Sequence, residues 1–535
     1  MATTQCQPEA KAVPAAGRIA RSTGVIALTT ALSRVLGVIR DQLFANYFGT
    51  SIAAEAFVVA FRLPNMLRDL VGEGAVTSAI VPVLSRYRAK NQGEEFWPAS
   101  QALLGRVLVA LGVIGLLGVF LAEPFVRLTA PGFAADPEKL RLTIRLTRIL
   151  FPFITLVGLW AYFMGVLNSL QRFAVPSLGS AILNMAMIAS LIWFVRGGST
   201  EGVVIQAWSV LVGGLLQLAV QIPPAMRLGF RWRLRWRHPG VTEALRLLGP
   251  RVLGSAVYQV NVLIDTALAS MTAVVGLGAV SALYYASRLV QLPMALFGTA
   301  SAQASLPALS DQAAREDWGA FRNTLLGVIR MVGFVILPSA VGLIVLGGPI
   351  VSVLFERGAF DRHSTLMTTQ ALACYALGLW AYSASKVVTG AFYALHDTRT
   401  PVRLAAEAVA INFVLSLLLM GPLKLAGLAL AASFSNILNA HRLLRRLEAR
   451  LAQPLIRPLY APLGRIGAAA LVMGGACVGL RMAFGDGIRT ILGLSAALGM
   501  SGLVYLLSVW AFRVPELATF QRWVLPKWNL PNRTR

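Results

Sequence analysis

Charge is what this 535-residue chain has least of. Asp, Glu, Lys and Arg make up 13% of it, against about 25% in soluble globular proteins. So few charges leave too little polar surface to cover a water-facing fold of this length. A hydrophobic share of 56% and a mean hydropathy of +0.68 point instead to a surface that faces lipid. Acidic residues are scarcer than basic ones, 23 against 48 Lys and Arg, for a net charge of +25. In a soluble protein that excess would indicate nucleic acid. Here the basic residues sit in short segments between apolar runs, the pattern of loop charges that set topology, so nucleic acid is not an expected partner. Cysteine and histidine are also rare. Cys6, Cys374 and Cys477 form no CxxC pair and the four histidines no HxxxH, which argues against a disulfide framework or a zinc site. Cys374 and Cys477 lie in apolar runs and read as core filler. Residues 1–20 are Ala-rich, carry Glu9, Lys11 and Arg18, and have no apolar stretch followed by a cleavage site. They read as a flexible cytoplasmic tail rather than a signal peptide.

Long apolar runs are abundant. A membrane-spanning helix needs about 20 mostly apolar residues. Candidates lie near 24–48, 53–83, 101–125, 142–169, 174–195, 202–224, 243–270, 277–309, 324–348, 365–395, 401–420, 425–447, 463–483 and 488–512, about fourteen in all. Loop charge supports the count. With the N-terminus inside, the cytoplasmic loops hold Arg86, Arg88 and Lys90, the run RLGFRWRLRWRH within 226–238, and Arg442, Arg445, Arg446, Arg450, Arg457 and Arg465. The turns 49–53 and 271–279 on the opposite side have no Lys or Arg. An even number of spans with both termini cytoplasmic fits this asymmetry.

The halves repeat. AFRL at 60–63 matches ASRL at 286–289, SRVLG at 33–37 echoes PRVLG at 250–254, and PVLS at 82–85 matches PALS at 307–310. Gly165, Pro176 and Gly202 recur 225 residues on as Gly390, Pro401 and Gly427. Such spacing through six helices means a duplicated unit. Six is even, so both units share one orientation, giving two parallel bundles with a cavity where they meet. The expected organisation is a tail at 1–22, a six-helix lobe at 23–225, a basic cytoplasmic linker at 226–240, a second six-helix lobe at 241–450, helices 13 and 14 within 451–512, and a tail at 513–535. The fold class is an all-α polytopic membrane protein.

Charges also fall inside the spans: Arg34, Arg40, Asp41, Glu55, Arg62, Arg68, Asp69 and Glu73 in the first half, Arg251, Asp265, Arg288, Lys386 and Glu407 in the second. A central Arg or Asp costs about 2.5–3.5 kcal/mol on an insertion scale. Such residues face water or one another, snorkel from helix ends, or form structural pairs such as Arg40 with Asp41. The arginines 34, 40, 62, 68, 251 and 288 suit a cavity for an anion carrying phosphates, because guanidinium forks onto phosphate oxygens. A site for organic cations would need carboxylates and aromatic faces. Glu55 and Glu73 would hold the arginines or take part in coupling. The GEG within Val71–Ala75 lacks the Lys-Ser/Thr of a P-loop and follows no strand. With no ATP site legible, transport would be driven by a monovalent cation or the membrane potential, with no cofactor. Asp265 with Asn412 and Ser416 forms a candidate oxygen-rich cation site; a hydrogen-bonded Asp serving structure is the alternative.

The stretches SRVLGVIRDQLFANYFG at 33–49 and AEAFVVAFRLPNMLRDLVGEGAVTSAIVPVLS at 54–85, with YYASRL at 284–289, LPSAVGL at 337–343, TPVR at 400–403 and GPLKLAGLAL at 421–430, resemble the MurJ (MviN) lipid II flippases of the multidrug/oligosaccharidyl-lipid/polysaccharide exporter superfamily. The resemblance covers nearly the whole chain. It implies two six-helix lobes plus two C-terminal helices forming a lipid-tail groove with the second lobe. It further implies outward flipping, in the bacterial inner membrane, of lipid II, an undecaprenyl-pyrophosphate disaccharide pentapeptide used in peptidoglycan synthesis. The family's cavity arginines map onto Arg34, Arg40, Arg68 and Arg288, and its acidic motif residues onto Asp41, Glu55 and Glu73. Arg62 and Arg251 stand as supporting residues. The chain departs from the family at Ser287, where the family often has Asp before the Arg, and at Gln291, often acidic. It departs again at Ser416, where members with a sodium site carry a second carboxylate. Expected partners are lipid II, membrane lipids and the cell-wall synthesis machinery, with the chain itself a monomer.

Other classes fit less well. A flippase for another polyprenyl-pyrophosphate glycan and a multidrug exporter of the same fold are the alternatives within transport. A membrane enzyme on a polyprenyl phosphate would need a catalytic cluster such as paired Asp residues on magnesium; Asp361 and His363 share one exterior turn but read as solvated loop residues. A scaffold gains nothing from charges inside the membrane.

Overall fold

The computed structural model describes residues 13–68, 76–89, 93–233 and 235–524, and every element among them is helical. Asp69 and Glu73 lie outside the described residues. Local chemistry marks the helix starts. Asp136 caps Pro137–Leu150, its Oδ1 accepting from the backbone N–H of Glu138 and Lys139 at 3.1 Å each, with Pro137 in the first turn where no partner for its nitrogen is needed. Ser199 caps Thr200–Ala219 through Gly202 N–H at 3.1 Å. The first helix begins at Val13, inside the stretch expected to be a tail.

Among the described residues, eight helices are long and apolar enough to cross a membrane. Arg362–Leu377 and Leu379–Ala394, joined at a 44° bend, pass the same test only when taken together. Gly378 sits at that bend, where an added Cβ would lie 2.7 Å from the Ser433 Cα. The other expected spans fall on helices that are shorter or interrupted. Ile52–Arg68 has 17 residues and carries Glu55, Arg62 and Arg68. Ala279–Pro293 continues into a π-helical turn, Met294–Thr299, before Ala300–Ala314. The expected pair of spans at 401–420 and 425–447 is two helices within Arg399–Leu451 that meet at a kink at Lys424, whose φ is 50°.

The chain divides into two units. The first holds the chain up to Phe48, then Ala56–Leu128 and Ala134–Ala256. A ladder of rings, Phe44–Phe57–Phe61–Phe153, runs through it with centroids 5.0, 5.7 and 6.1 Å apart. The buried Tyr162 hydroxyl donates to the Ser100 carbonyl at 2.9 Å. The basic run after Arg227 is tied to this unit. Phe230 is buried against Trp97 and Phe163, Gln101 donates to the Arg231 carbonyl and Arg106 to that of Trp236, both at 3.2 Å.

The second unit holds Val257–Arg535 together with two short segments from the first half, Gly49–Glu55 and Thr129–Phe133. Its core joins Phe321, Ile329 and Ile336 of Trp318–Val345 to Val387 and Phe392 and to Leu443 and Leu447. Arg457–Phe484 and Ile491–Ala511 pack on the same long helix. There Tyr505 donates to the Phe334 carbonyl at 2.5 Å, and the buried Cys477 thiol donates to Ser501 at 3.1 Å.

Candidate functional site

The first unit builds a polar lock around Arg40. Its Nε and Nη2 donate to Asp41 Oδ1 at 3.1 and 2.7 Å, and its Nη1 donates to Asn184 Oδ1 at 3.0 Å. Asn184 in turn donates to the Ser33 carbonyl at 3.1 Å. The Arg40 and Asp41 side chains are only 12% and 11% exposed. This is the adjacent structural pair that the sequence offered as an alternative to anion binding, extended by Asn184 to a second helix, Gly179–Trp193. Arg34 is exposed, and Arg62 and Arg68 are half-buried on Ile52–Arg68. The Arg251 side chain lies outside the described residues.

In the second unit, Arg288 stands on Ala279–Pro293 with its guanidinium carbon 4.9 Å from the centre of the Tyr284 ring, one turn back. Its Nη2 donates to the Tyr284 hydroxyl at 3.2 Å and its Nη1 to Gln291 Oε1 at 3.5 Å. The glutamine therefore occupies the place of the acidic residue expected three positions after the arginine, as a weaker, uncharged acceptor. Glu55 is 1% exposed, and its carboxylate accepts the Val280 backbone N–H at 2.9 Å, in the first turn of the helix that carries Arg288. A carboxylate there is favoured by the unsatisfied N–H groups and the dipole of the helix end. Beside it, Thr50 and Ser364 share a hydroxyl hydrogen bond of 2.8 Å, and Tyr285 donates to the Gly49 carbonyl at 3.3 Å.

Asp265 lies in a closed ring of amides. Asn412 Nδ2 donates to Asp265 Oδ1 at 2.7 Å and to Asn261 Oδ1 at 3.0 Å, and Asn261 Nδ2 donates to Asp265 Oδ2 at 3.0 Å. The buried Asn412 Oδ1 and Ser416 Oγ accept no hydrogen bond among the described residues. The site thus offers one carboxylate, with both its oxygens already engaged. No group of three or more His, Cys, Asp or Glu residues that could hold a metal occurs among the described residues.

Two other charges resolve as structure. Glu407 pairs with Arg403 at 3.2 Å and Arg442 at 3.1 Å at a solvent-accessible position. Asp361 is more than a solvated loop residue: it caps Arg362–Leu377, accepting from Ser364 N–H at 2.8 Å and Ser364 Oγ at 2.7 Å. These bonds hold its carboxyl below the usual carboxylate range.

A family model described as "Lipid II flippase MurJ" matches residues 44–495. The chain belongs to the MurJ family. It is 34% identical over 470 residues to the probable lipid II flippase MurJ of Vibrio cholerae, covering 86% of this chain and 88% of that one. It is 36% identical over 416 residues to the one from Rhizobium tropici, covering 77% of each. Its fold is similar to a solved lipid II flippase MurJ in an inward closed conformation, at 26% identity and a TM-score of 0.76 over 94% of this chain and 99% of the other. An inward-facing multidrug resistance MATE family transporter of the MOP superfamily shares the fold at 15% identity and a TM-score of 0.65, covering 80% of this chain and 98% of that one. The chain is accordingly an all-α, multi-pass membrane protein of a flippase family.

Against the MurJ motifs, the described structure brings Glu55 to the first turn of the helix that carries Arg288, and Asp265 beside Asn412. It ties Arg40 to Asp41 rather than leaving it open. Sequence reasoning missed Tyr284, Asn184 and Asn261. Each carried a usable signal: Tyr284 and Asn261 precede Arg288 and Asp265 by four residues, one helical turn, and Asn184 is a polar residue in an apolar span.

Proposed function

We propose that this MurJ-family chain flips lipid II from the inner to the outer leaflet of the bacterial cytoplasmic membrane by alternating access, without a covalent catalytic step. The observation that carries the reading is the family match over 44–495, and Arg288 stands at the family's cavity position. Tyr284 and Gln291 help to orient Arg288, whose guanidinium forks onto phosphate oxygens. Arg34 and Arg68 act with it, while Arg40, bound to Asp41, positions the first helix against Gly179–Trp193. Both termini face the cytoplasm, as the loop charges favour. The prenyl tail stays in lipid along the two C-terminal helices.

Outward opening would require Glu55 to leave Val280 and Thr50 to leave Ser364. The driving force is the membrane potential or a monovalent cation drawn to Asp265, Asn412 and Ser416; loss of transport on replacing sodium by potassium at constant potential would select the cation. Moving one charge through 100 mV is worth about 2.3 kcal/mol.

The deciding experiment is complementation of a bacterium depleted of its own lipid II flippase. The wild-type chain rescues growth and Arg288→Ala, inserted at equal level, does not. Rescue by both removes Arg288 from the site. Failure of a well-inserted wild type in a compatible host points to a different polyprenyl-linked glycan.

A further inference from the structure

The loop-charge rule has one conspicuous violation. With the orientation proposed above, Arg127, Lys139 and Arg141 lie on the outer side, before the span expected at 142–169, and Arg145 and Arg148 lie in the first turns of that span. Arg141, Arg145 and Arg148 recur at i, i+4 and i+7 on Pro137–Leu150, which places them on one face, and all three are exposed. They line a cleft of about 460 Å³ with Glu123, whose remaining walls are the apolar Ile144, Ile149 and Trp208.

The cleft sits where a membrane interface belongs. Arg148 is followed directly by the apolar stretch that continues to Ser169. On the neighbouring helix, Trp208, Val212 and Leu215 are each more than half exposed, at 54%, 53% and 56%. Their spacing makes one apolar stripe leading from the cleft toward the middle of the span. Arg145 reaches Glu201 at 3.4 Å, linking the outer ends of the two helices.

We propose that this cleft binds an anionic glycerophospholipid of the outer leaflet, with the phosphodiester on Arg141, Arg145 and Arg148 and an acyl chain along Trp208, Val212 and Leu215. Arginine forks onto phosphate oxygens, and tryptophan settles at the headgroup level with its ring toward the tails. Carboxylates decide between candidate anions. Glu123, although paired with Arg127 at 2.9 Å, and Glu201 both border the arginines. The remaining positive surplus is small, suited to a phosphodiester with one charge, whereas a pyrophosphate would meet both carboxylates with more than one.

The outer-leaflet placement rests on the orientation proposed above; the lipid preference does not. The two are read separately. Impermeant thiol labelling of Gly197→Cys, in the turn before Thr200, tests the side. For the lipid, the full chain in phosphatidylcholine nanodiscs receives increasing brominated phosphatidylglycerol while tryptophan emission is followed. Bromine quenches wild type at a lower mole fraction of phosphatidylglycerol than of phosphatidylcholine. The preference falls about fivefold for each arginine converted to glutamine, and the quenched share of emission drops in Trp208→Phe. The variant Arg148→Lys, which keeps the charge, retains most of the preference and serves if the triple glutamine variant does not fold. Equal preference in wild type and the folded glutamine variants overturns the proposal. So does competition by millimolar inorganic phosphate alone, or a preference that appears only with a polyprenyl pyrophosphate.

Discussion

Arg288 shows how a permanently charged side chain is kept ready inside a membrane protein. A ring face, a hydroxyl and an amide are among its neighbours, and they help to set its position. Tyr284→Phe removes one acceptor and keeps the ring; a single hydrogen bond is worth about 1 kcal/mol, so lipid II flipping by the purified protein should fall by less than tenfold. Tyr284→Leu removes both contacts and should fall further, and Arg288→Lys should rescue only in part, lacking the fork. Equal rates in wild type and Tyr284→Leu would show that the ring does not position the arginine. At this scale the sequence was partly legible. Arg288 stood out because charge is rare in an apolar run, whereas Tyr284 sits in a Tyr-Tyr pair that reads as core. Arg40 was legible as a charge but its commitment was not, because Asn184 lies 144 residues away.

The helices depend on their ends. Asp361 caps Arg362–Leu377, and replacing such a cap by alanine costs about 0.5–2 kcal/mol. The hydrogen bonds from Ser364 lower the Asp361 pKa in the folded state. Its contribution is therefore complete above the unfolded value of about 3.9 and is lost as pH falls through the lower folded value. Thermal unfolding of wild type and Asp361→Ala should differ at pH 7, and the gap should begin to narrow below about pH 4. A gap unchanged down to pH 3 would show that the charge of the cap contributes nothing. Apolar runs made most long helices legible, and the break within Arg399–Leu451 was foreshadowed by Gly421 and Pro422. The residue that takes the unusual backbone conformation is nonetheless Lys424, which no propensity scale selects. Charge-bearing segments such as Ile52–Arg68 were counted among the apolar runs, although this helix has 17 residues and carries Glu55, Arg62 and Arg68.

For the whole molecule, the duplicated pattern led us to expect two lobes, and the loop charges favour an orientation. It could not show that Gly49–Glu55 and Thr129–Phe133 belong by their contacts to the second unit, because such docking depends on surfaces far apart in the chain. The Thr50–Ser364 contact makes this testable. Cysteines at both positions should cross-link on oxidation, since the hydroxyls are 2.8 Å apart. The cross-link should stop flipping, and reductant should restore it. Full transport with the bridge closed would mean that the segment stays docked throughout the cycle.

The docking of Glu55 also bears on how the protein is made. Its acceptor bond reaches a backbone amide 225 residues later in the chain. At a synthesis rate of roughly 5–20 residues per second, the carboxylate waits on the order of ten to fifty seconds before that amide exists. During this interval the growing first half carries an acidic side chain whose bond to Val280 has not yet formed. A pause in translation between the halves would lengthen the stage before this contact can close.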